Sequence, residues 1–442
     1  MSLDTSSVPE LSGQQRRCHL LLMLYAPTRK VQLETISQLN RVDLPTTRQD
    51  IAEVASEIQR FHHLDLTITP ANQCHIEGTT LNQRLCLLHW LRRGLRISPD
   101  FVEQTLSVWL QEALTPLQYG ELLGDQPALL SLIDDCEAML QRSFSERDKR
   151  FLLIFLQYCL WQHHCQQHPR FAPDQQHWLQ QKSEHQAARY LTLALKKHFG
   201  ITLNSPEQNF LTLMFTLIKT HSYDSSNSQE DLRLMNEIEQ LVARFQDLSG
   251  MTFSSKEGIV GQLFAHLAPA IERCHFNIGI DNLLLEEVVR MYPRLVRTTH
   301  EALSDFEIAY GITLSQEETG LVAICFGAWL MQGNSLQEKQ VLLLTHNDSA
   351  LEQAVEQQVR EATLLPLNIK YQRLDEFERD GPEAGIELIV TPYPVKNAQS
   401  HLSVIYIALP LQKAQRKEIR VMLEKTDQPI NTPEAEPGDA RK

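Results

Sequence analysis

The chain has 442 residues, with 41 lysines and arginines against 55 aspartates and glutamates and a formal charge of −14. That length exceeds one ordinary core, so several domains are expected. No apolar run, Phe151 to Leu156 among them, is long enough to span a membrane, which excludes a membrane-embedded class. The N-terminal MSLDTSSVPELSG has neither the cationic nor the apolar region of a signal peptide, and eight scattered cysteines form no C-x-x-C pair. The expectation is a cytoplasmic protein with reduced thiols and no membrane partner. Charge is uneven: residues 1 to 96 hold 11 Lys/Arg against 9 Asp/Glu, or +2, leaving 30 against 46, or −16, for the rest. Any nucleic-acid contact is therefore expected near the N-terminus.

After a flexible start over residues 1–14, residues 15–80 have the pattern of three helices and a hairpin. Leu20, Leu21 and Leu24 share a face of one helix, and Leu33, Ile36 and Leu39 share a face of a second, read from Val31 to Asn40. A third begins at Asp43, a capping residue, with Pro45 in the first turn and Ile51, Val54, Ile58 and Phe61 at helical spacing. LDLTIT and CHIEG around PANQ predict the hairpin. Three helices and a wing make a winged helix-turn-helix, whose base-facing side would carry Thr46, Thr47, Arg48 and Gln49. Asp50, Glu53 and Glu57 would repel phosphates, so compensation is expected from Arg16, Arg17, Arg29, Lys30 and Arg41. The alternative is a helical domain used for packing or dimerisation.

Residues 81–135 read as a helical connector opening with the basic LNQRLCLLHWLRRGLR, whose Arg92, Arg93 and Arg96 suit a solvated face better than a phosphate site. An internal repeat follows. FGITLNSPEQNFLTLMF (199–215) and YGITLSQEETGLVAICF (310–326) share an aromatic-G-I-T-L start and a glutamate, Glu207 or Glu318, at an offset of 111 residues. That period is a duplicated domain and not a solenoid unit. The copies are placed at 136–221 and 236–336, with a polar linker over 222–235. From residue 338 to 425 strands alternate with helices, predicting a small parallel-sheet α/β domain, and residues 426–442 read as a disordered tail.

These features resemble transcriptional regulators that carry a winged helix and two PTS regulation domains (PRDs), some with an enzyme IIB-like domain behind them. V-x-x-x-T-x-x-x-D-[LI] is matched by Val42, Thr46, Asp50 and Ile51, and I-x-G with a following arginine by Ile76, Gly78 and Arg84. L-x-x-H-[LI]-x-x-A-[IL]-x-R is matched by Leu263, His266, Leu267, Ala270, Ile271 and Arg273, followed by Asn282, Leu284, Leu285, Tyr292 and Pro293. The resemblance implies a mainly α multidomain fold. It also implies that His266 is a phosphoacceptor histidine, that DNA and phosphotransferase-system phosphocarrier proteins are partners, and that the protein is a homodimer. A phosphoryl group on His266 would add charge and acceptor oxygens that attract guanidinium groups such as Arg273.

The departures matter equally. The second histidine expected in each regulation domain is Cys325 in one copy and Met214 in the other, and the first acceptor of the earlier copy falls on Phe155 or Tyr158. The loop THNDS (345–349) lacks the nucleophilic cysteine of a IIB domain, leaving at most a docking module. His163, His164, Cys165, His168 and His177 look metal-like, yet a solvated helix end is the preferred reading. No nucleotide-binding or hydrolase motif occurs, so neither an enzyme nor a cofactor is expected, and no metal. The competing reading is a protein-interaction module that keeps the fold without reading DNA, with His266 a relic.

Overall fold

The computed structural model describes residues 10–27, 31–117, 126–218, 228–281, 284–332, 338–346, 348–395 and 403–424. Arg29, Lys30, Asn282, residues 222–227 of the expected linker and the expected tail lie outside them. The molecule is mostly helical and divides into two compact units, Met1–His221 with Pro269–Asp281, and Ser222–Ala268 with Asn282–Lys442.

The first unit opens with α1 (Gly13–Leu24), α2 (Leu33–Asn40) and α3 (Leu44–His62). Ser12 and Gln15 form a capping box at α1, and the Asp43 carboxylate accepts from the Thr46 N–H at 2.9 Å at α3. Leu20, Leu21, Leu33, Ile36, Val54 and Ile58 are fully buried where these helices meet. Arg41 and His63, both left-handed with φ of 56° and 53°, end α2 and α3. β2 (Asp65–Ile68) and β3 (Gln73–Glu77) form the expected hairpin, with Leu66 opposite Ile76. Val31 and Gln32, expected to open α2, instead form β1 and pair with Cys74 and Gln73, giving a sheet ordered β1-β3-β2. A strand of two residues is too short to show a period.

α4 (Thr80–Ile97) follows, then α5 (Pro99–Phe101), a π turn over Val102–Leu106 and α6 (Ser107–Leu114). Gly94 lets α4 lie close to its neighbours: a Cβ there would sit 2.9 Å from Leu22 Cδ1 and 3.1 Å from Val102. α7 (Gln126–Leu140), α8 (Glu146–His164), α9 (Pro173–Gln180), α10 (Glu184–Phe199) and α11 (Ser205–Leu217) share one continuous core with α1–α4. Segment 269–281 is tied in by a buried Lys182–Glu272 pair at 2.6 Å and by Trp178, which donates to Glu272 and stacks on His275 at 3.9 Å.

In the second unit α12 (Gln229–Ser249), the first part of α13 (Lys256–His275), α14 (Leu285–Met291), α15 (Pro293–Tyr310) and α16 (Gln316–Gln332) form a five-helix body. Residues 229–235, expected as linker, are the first two turns of α12, capped by Ser228 and anchored by buried Leu234. Phe245 stacks on Phe326 at 4.0 Å in the core. Positions 111 apart have the same backbone role: Gln166 and Asn277 are left-handed after α8 and α13, and Gly200 and Gly311 are left-handed caps of α10 and α15.

β4 (Lys339–Thr345), α17 (Ser349–Ala362), β5 (Leu367–Arg373), α18 (Leu374–Asp380), β6 (Leu388–Thr391), β7 (Ser403–Tyr406) and α19 (Lys413–Glu424) complete the chain. The four strands are parallel in the order β5-β4-β6-β7. α18 was not expected; its two turns bury only Phe377, leaving no periodic signal. In this unit Arg294 is buried and donates to Ala362 O at 3.1 Å, joining α15 to the end of α17.

Candidate functional site

His266 lies on α13 between Leu263, Phe264 and Leu267, all fully buried, and its own side chain is 17% exposed. α16 starts with Glu318 in its first turn, and that carboxylate is buried. His266 Nε2 is 3.2 Å from Glu318 Oε2, close enough to pair when the ring is protonated but off the line of a hydrogen bond. A partly reachable imidazole beside a buried carboxylate has its tautomer and orientation biased by that charge, while retaining a nucleophilic nitrogen. Nε2 itself is buried, so a phosphoryl group could sit there only if the ring moved away from Glu318, breaking this pairing. Cys325 is buried on α16, and burial pushes its thiol up to about 11, so no thiolate is available there. Arg273, seven residues on from His266, lines a cavity of the first unit.

The equivalent place in the first unit is built from different residues. The offset shared by Gln166 and Asn277 puts Phe155, fully buried, at the His266 position and leaves Tyr158 three residues away. Glu207 occupies the Glu318 position, and its partner is Arg84 from α4. Arg84 donates to both Glu207 oxygens at 2.6 and 3.0 Å, to Gln162 at 2.7 Å and to Gln167 O at 3.2 Å, and its guanidinium lies over the Phe210 ring. This bidentate pair is dry on both sides, with 0% and 3% side-chain exposure. Burial would raise the Glu207 carboxyl, but His163, Arg84 and His168 outweigh it and hold it down at about 2.

His168 Nδ1 is 3.1 Å and His163 Nδ1 3.6 Å from the same Glu207 oxygen, so three potential metal ligands do converge. Sequence reasoning selected the histidines but missed Glu207, which arrives from 39 residues beyond His168. His164 and Cys165 are exposed and outside the group. With a guanidinium bound to both oxygens, the carboxylate's charge is already met, and a cation there would be opposed by Arg84.

At the start of α3, Arg48 and Gln49 are exposed and Thr46 half-buried. Thr47, placed with them by sequence, is fully buried and its hydroxyl donates to Asp43 O at 2.9 Å, so it packs the domain. Asp50 is also buried, with Arg16 Nε at 2.8 Å, and Glu53 pairs with Arg17 at 2.6 Å and accepts from Gln49. Arg16 and Arg17, expected to offset carboxylates facing phosphate, are thus held by Asp50 and Glu53 directly. In the α/β domain the residue after β4 is His346. Its N–H donates to Glu352, which also accepts from Tyr393 OH, and the His346 and Tyr393 rings meet edge to face at 5.6 Å.

The PRD domain family matches residues 239–329, the helical body that contains His266 and Glu318. The C-terminal domain of the stationary phase-inducible protein CsiE matches residues 339–423, the parallel-sheet domain. The stationary phase-inducible protein CsiE of Escherichia coli (strain K12) is 42% identical over 414 residues, covering 94% of this chain and 97% of that protein. The chain is a PRD-containing protein, and it belongs to the CsiE family. More distant similarity reaches the transcriptional regulator ManR of Bacillus subtilis (strain 168), 21% identical over 76% of this chain and 50% of that protein. A probable licABCH operon regulator of the same organism is 24% identical over 51% of this chain and 36% of that protein.

Proposed function

We propose that the protein is a DNA-binding transcriptional regulator whose state is set through its regulation domain by phosphorylation of His266. The observation that carries this is the joining of two parts: three N-terminal helices followed by an antiparallel sheet, with Arg48 and Gln49 exposed at the start of the third helix, and a PRD domain with a partly exposed histidine. The first part is read as a winged helix-turn-helix that places α3 in the major groove. Residues 136–221 are read as a degenerate first PRD and 338–425 as a IIB-like docking module without its cysteine. The phosphocarrier proteins of the phosphotransferase system are the proposed donors, and a homodimer the proposed assembly. The similarity to regulators named for transcription and for an operon supports this direction.

In this reading a phosphoryl group on His266 repels the buried Glu318 carboxylate and shifts the start of α16. Selection from fragmented genomic DNA by the full-length protein, followed by footprinting, tests the function. A discrete site whose occupancy falls steeply with salt is expected. Binding at all salts no better than to random DNA discards the reading. A second reading, a protein-interaction module without DNA readout, is favoured by one observation: of the four candidates Thr47 is buried and the Gln49 amide is engaged with Glu53, which reduces the side chains offered to a groove. Stoichiometric capture of a protein partner with no DNA enrichment selects it.

A further inference from the structure

The last turn of α3 is held by chain that arrives from the far end of α13. Where α3 closes, His63 is left-handed, and the N–H groups of His63 and Leu64 return to Gln59 O and Ile58 O. The Phe61 carbonyl is then one of those that a helix end cannot satisfy internally. The Gly279 N–H donates to it at 2.9 Å. Nearby, Asn277 O accepts from His63 Nε2 at 3.2 Å, a bond that requires the proton on that nitrogen, and Asp281 lies 3.9 Å from Arg60. All of these residues belong to the first unit.

Contact, and not a backbone angle, requires glycine at 279. A Cβ there would stand 2.9 Å from the Phe61 Cα and 3.3 Å from Arg60 O, backbone atoms that cannot swing aside. On the α13 side the segment is stiff. Asn277, itself left-handed, and Ile278 return their N–H groups to Cys274 O and Arg273 O, and Phe276 is buried. The Lys182–Glu272 pair and the Trp178–His275 stack fix the turn before them. The junction with α3 is light by comparison: two hydrogen bonds and one long ion pair, with His63, Arg60, Asn277, Gly279 and Asp281 all exposed. Solvent-reachable bonds of this kind open locally, well before the domain unfolds.

We propose that residues 276–281 are a latch on α3: closed, they clamp the end of α3 to the last turn of α13, and open, they free it. The latch continues α13 directly, so a shift of that helix's last turn is drawn onto Phe61 and His63 with little slack. A plain surface turn would bond to itself; this one commits a glycine N–H and a carbonyl to the end of another helix. On the proposed function, the latch gives the helix that bears His266 a covalent hold on the helix that presents Arg48 and Gln49. That use rests on the proposed DNA reading, whereas the latch itself does not, and its test involves no DNA.

Hydrogen exchange of the full-length chain, read by mass spectrometry of peptides over 59–63 and 276–281, tests it. Gly279→Val should speed exchange roughly tenfold or more in both segments while leaving buried α8 unchanged. His63→Asn keeps a residue that tolerates the left-handed cap but is too short to reach Asn277 O, and should speed both segments about threefold. It decides the matter if the valine variant does not fold. Arg379→Ala, on α18, is the control and changes neither segment. Faster exchange at 276–281 with 59–63 unchanged overturns the proposal, because the end of α3 then needs no latch. Unchanged exchange of both segments in Gly279→Val overturns it equally, since the close approach to Phe61 would then hold nothing.

Discussion

Glu207 and Glu318 stand at equivalent places with different partners, and the difference has measurable consequences. Removing the guanidinium in Arg84→Ala leaves a buried carboxylate unpaired, a change that costs about 3–5 kcal/mol, and should appear as a lowered urea midpoint with a smaller loss in Arg84→Met/Glu207→Leu. The pH dependence has a definite sign. Glu207 titrates at about 2 in the folded chain, below its ordinary value of 4.5, so its contribution is fully present above 4.5 and is lost as pH falls toward 2. Urea midpoints measured between pH 6 and pH 2.5 should fall more steeply in the wild type than in Glu207→Gln. Equal slopes would mean that Glu207 is not held down by Arg84 and the histidines. At His266, incubation with labelled phosphoenolpyruvate and the general phosphotransferase components should give an acid-labile phosphoprotein. His266→Ala should lose the label and keep its helical circular dichroism, and an unlabelled wild type would make the histidine a packing residue.

Among the elements, those with long amphipathic periods were legible in the sequence: α3 from its Asp43 cap onward, the hairpin after it, and the alternation that marks the parallel sheet. β1 and α18 were not, because two residues and two turns are too short to display a period, and both exist through pairing or packing with distant chain. The same limit applied to the sites. His266 was singled out through the resemblance of Leu263, Leu267, Ala270, Ile271 and Arg273 around it to a family motif carried on one helix. Arg84 matched a motif, but its meeting with Glu207, 123 residues on, depends on the packing of α4 against the helical body. The arginines of α4 looked like a solvated face because nothing local shows that they line one cavity with Arg147 and Arg273. Thr47 shows the converse error: adjacent residues on a helix point in different directions, so four consecutive positions cannot all face one groove. At α13, Gly258 tests close packing, since a Cβ there would fall 2.1 Å from the Trp329 ring. Gly258→Ala should destabilise by about 1–3 kcal/mol through overpacking, read as a lower melting temperature, and an unchanged melt would mean that the indole moves aside without cost.

For the whole molecule, none of the helices among the described residues is long and apolar enough to cross a membrane, and the chain combines a PRD domain with an α/β domain typical of the CsiE family. Sedimentation at micromolar concentration should find the proposed homodimer, and a monomer throughout would remove dimerisation from the account. The central claim is that this architecture delivers a DNA-binding surface at the start of α3. The most direct measurement is footprinting on the genomic fragment the full-length protein selects, compared with Arg48→Ala/Gln49→Ala. These two side chains are exposed, so the substitution should leave the melting temperature unchanged while weakening specific binding at least tenfold, roughly 1.4 kcal/mol or more. A footprint equally strong in the double variant, or no footprint on any fragment with the wild type, would contradict it.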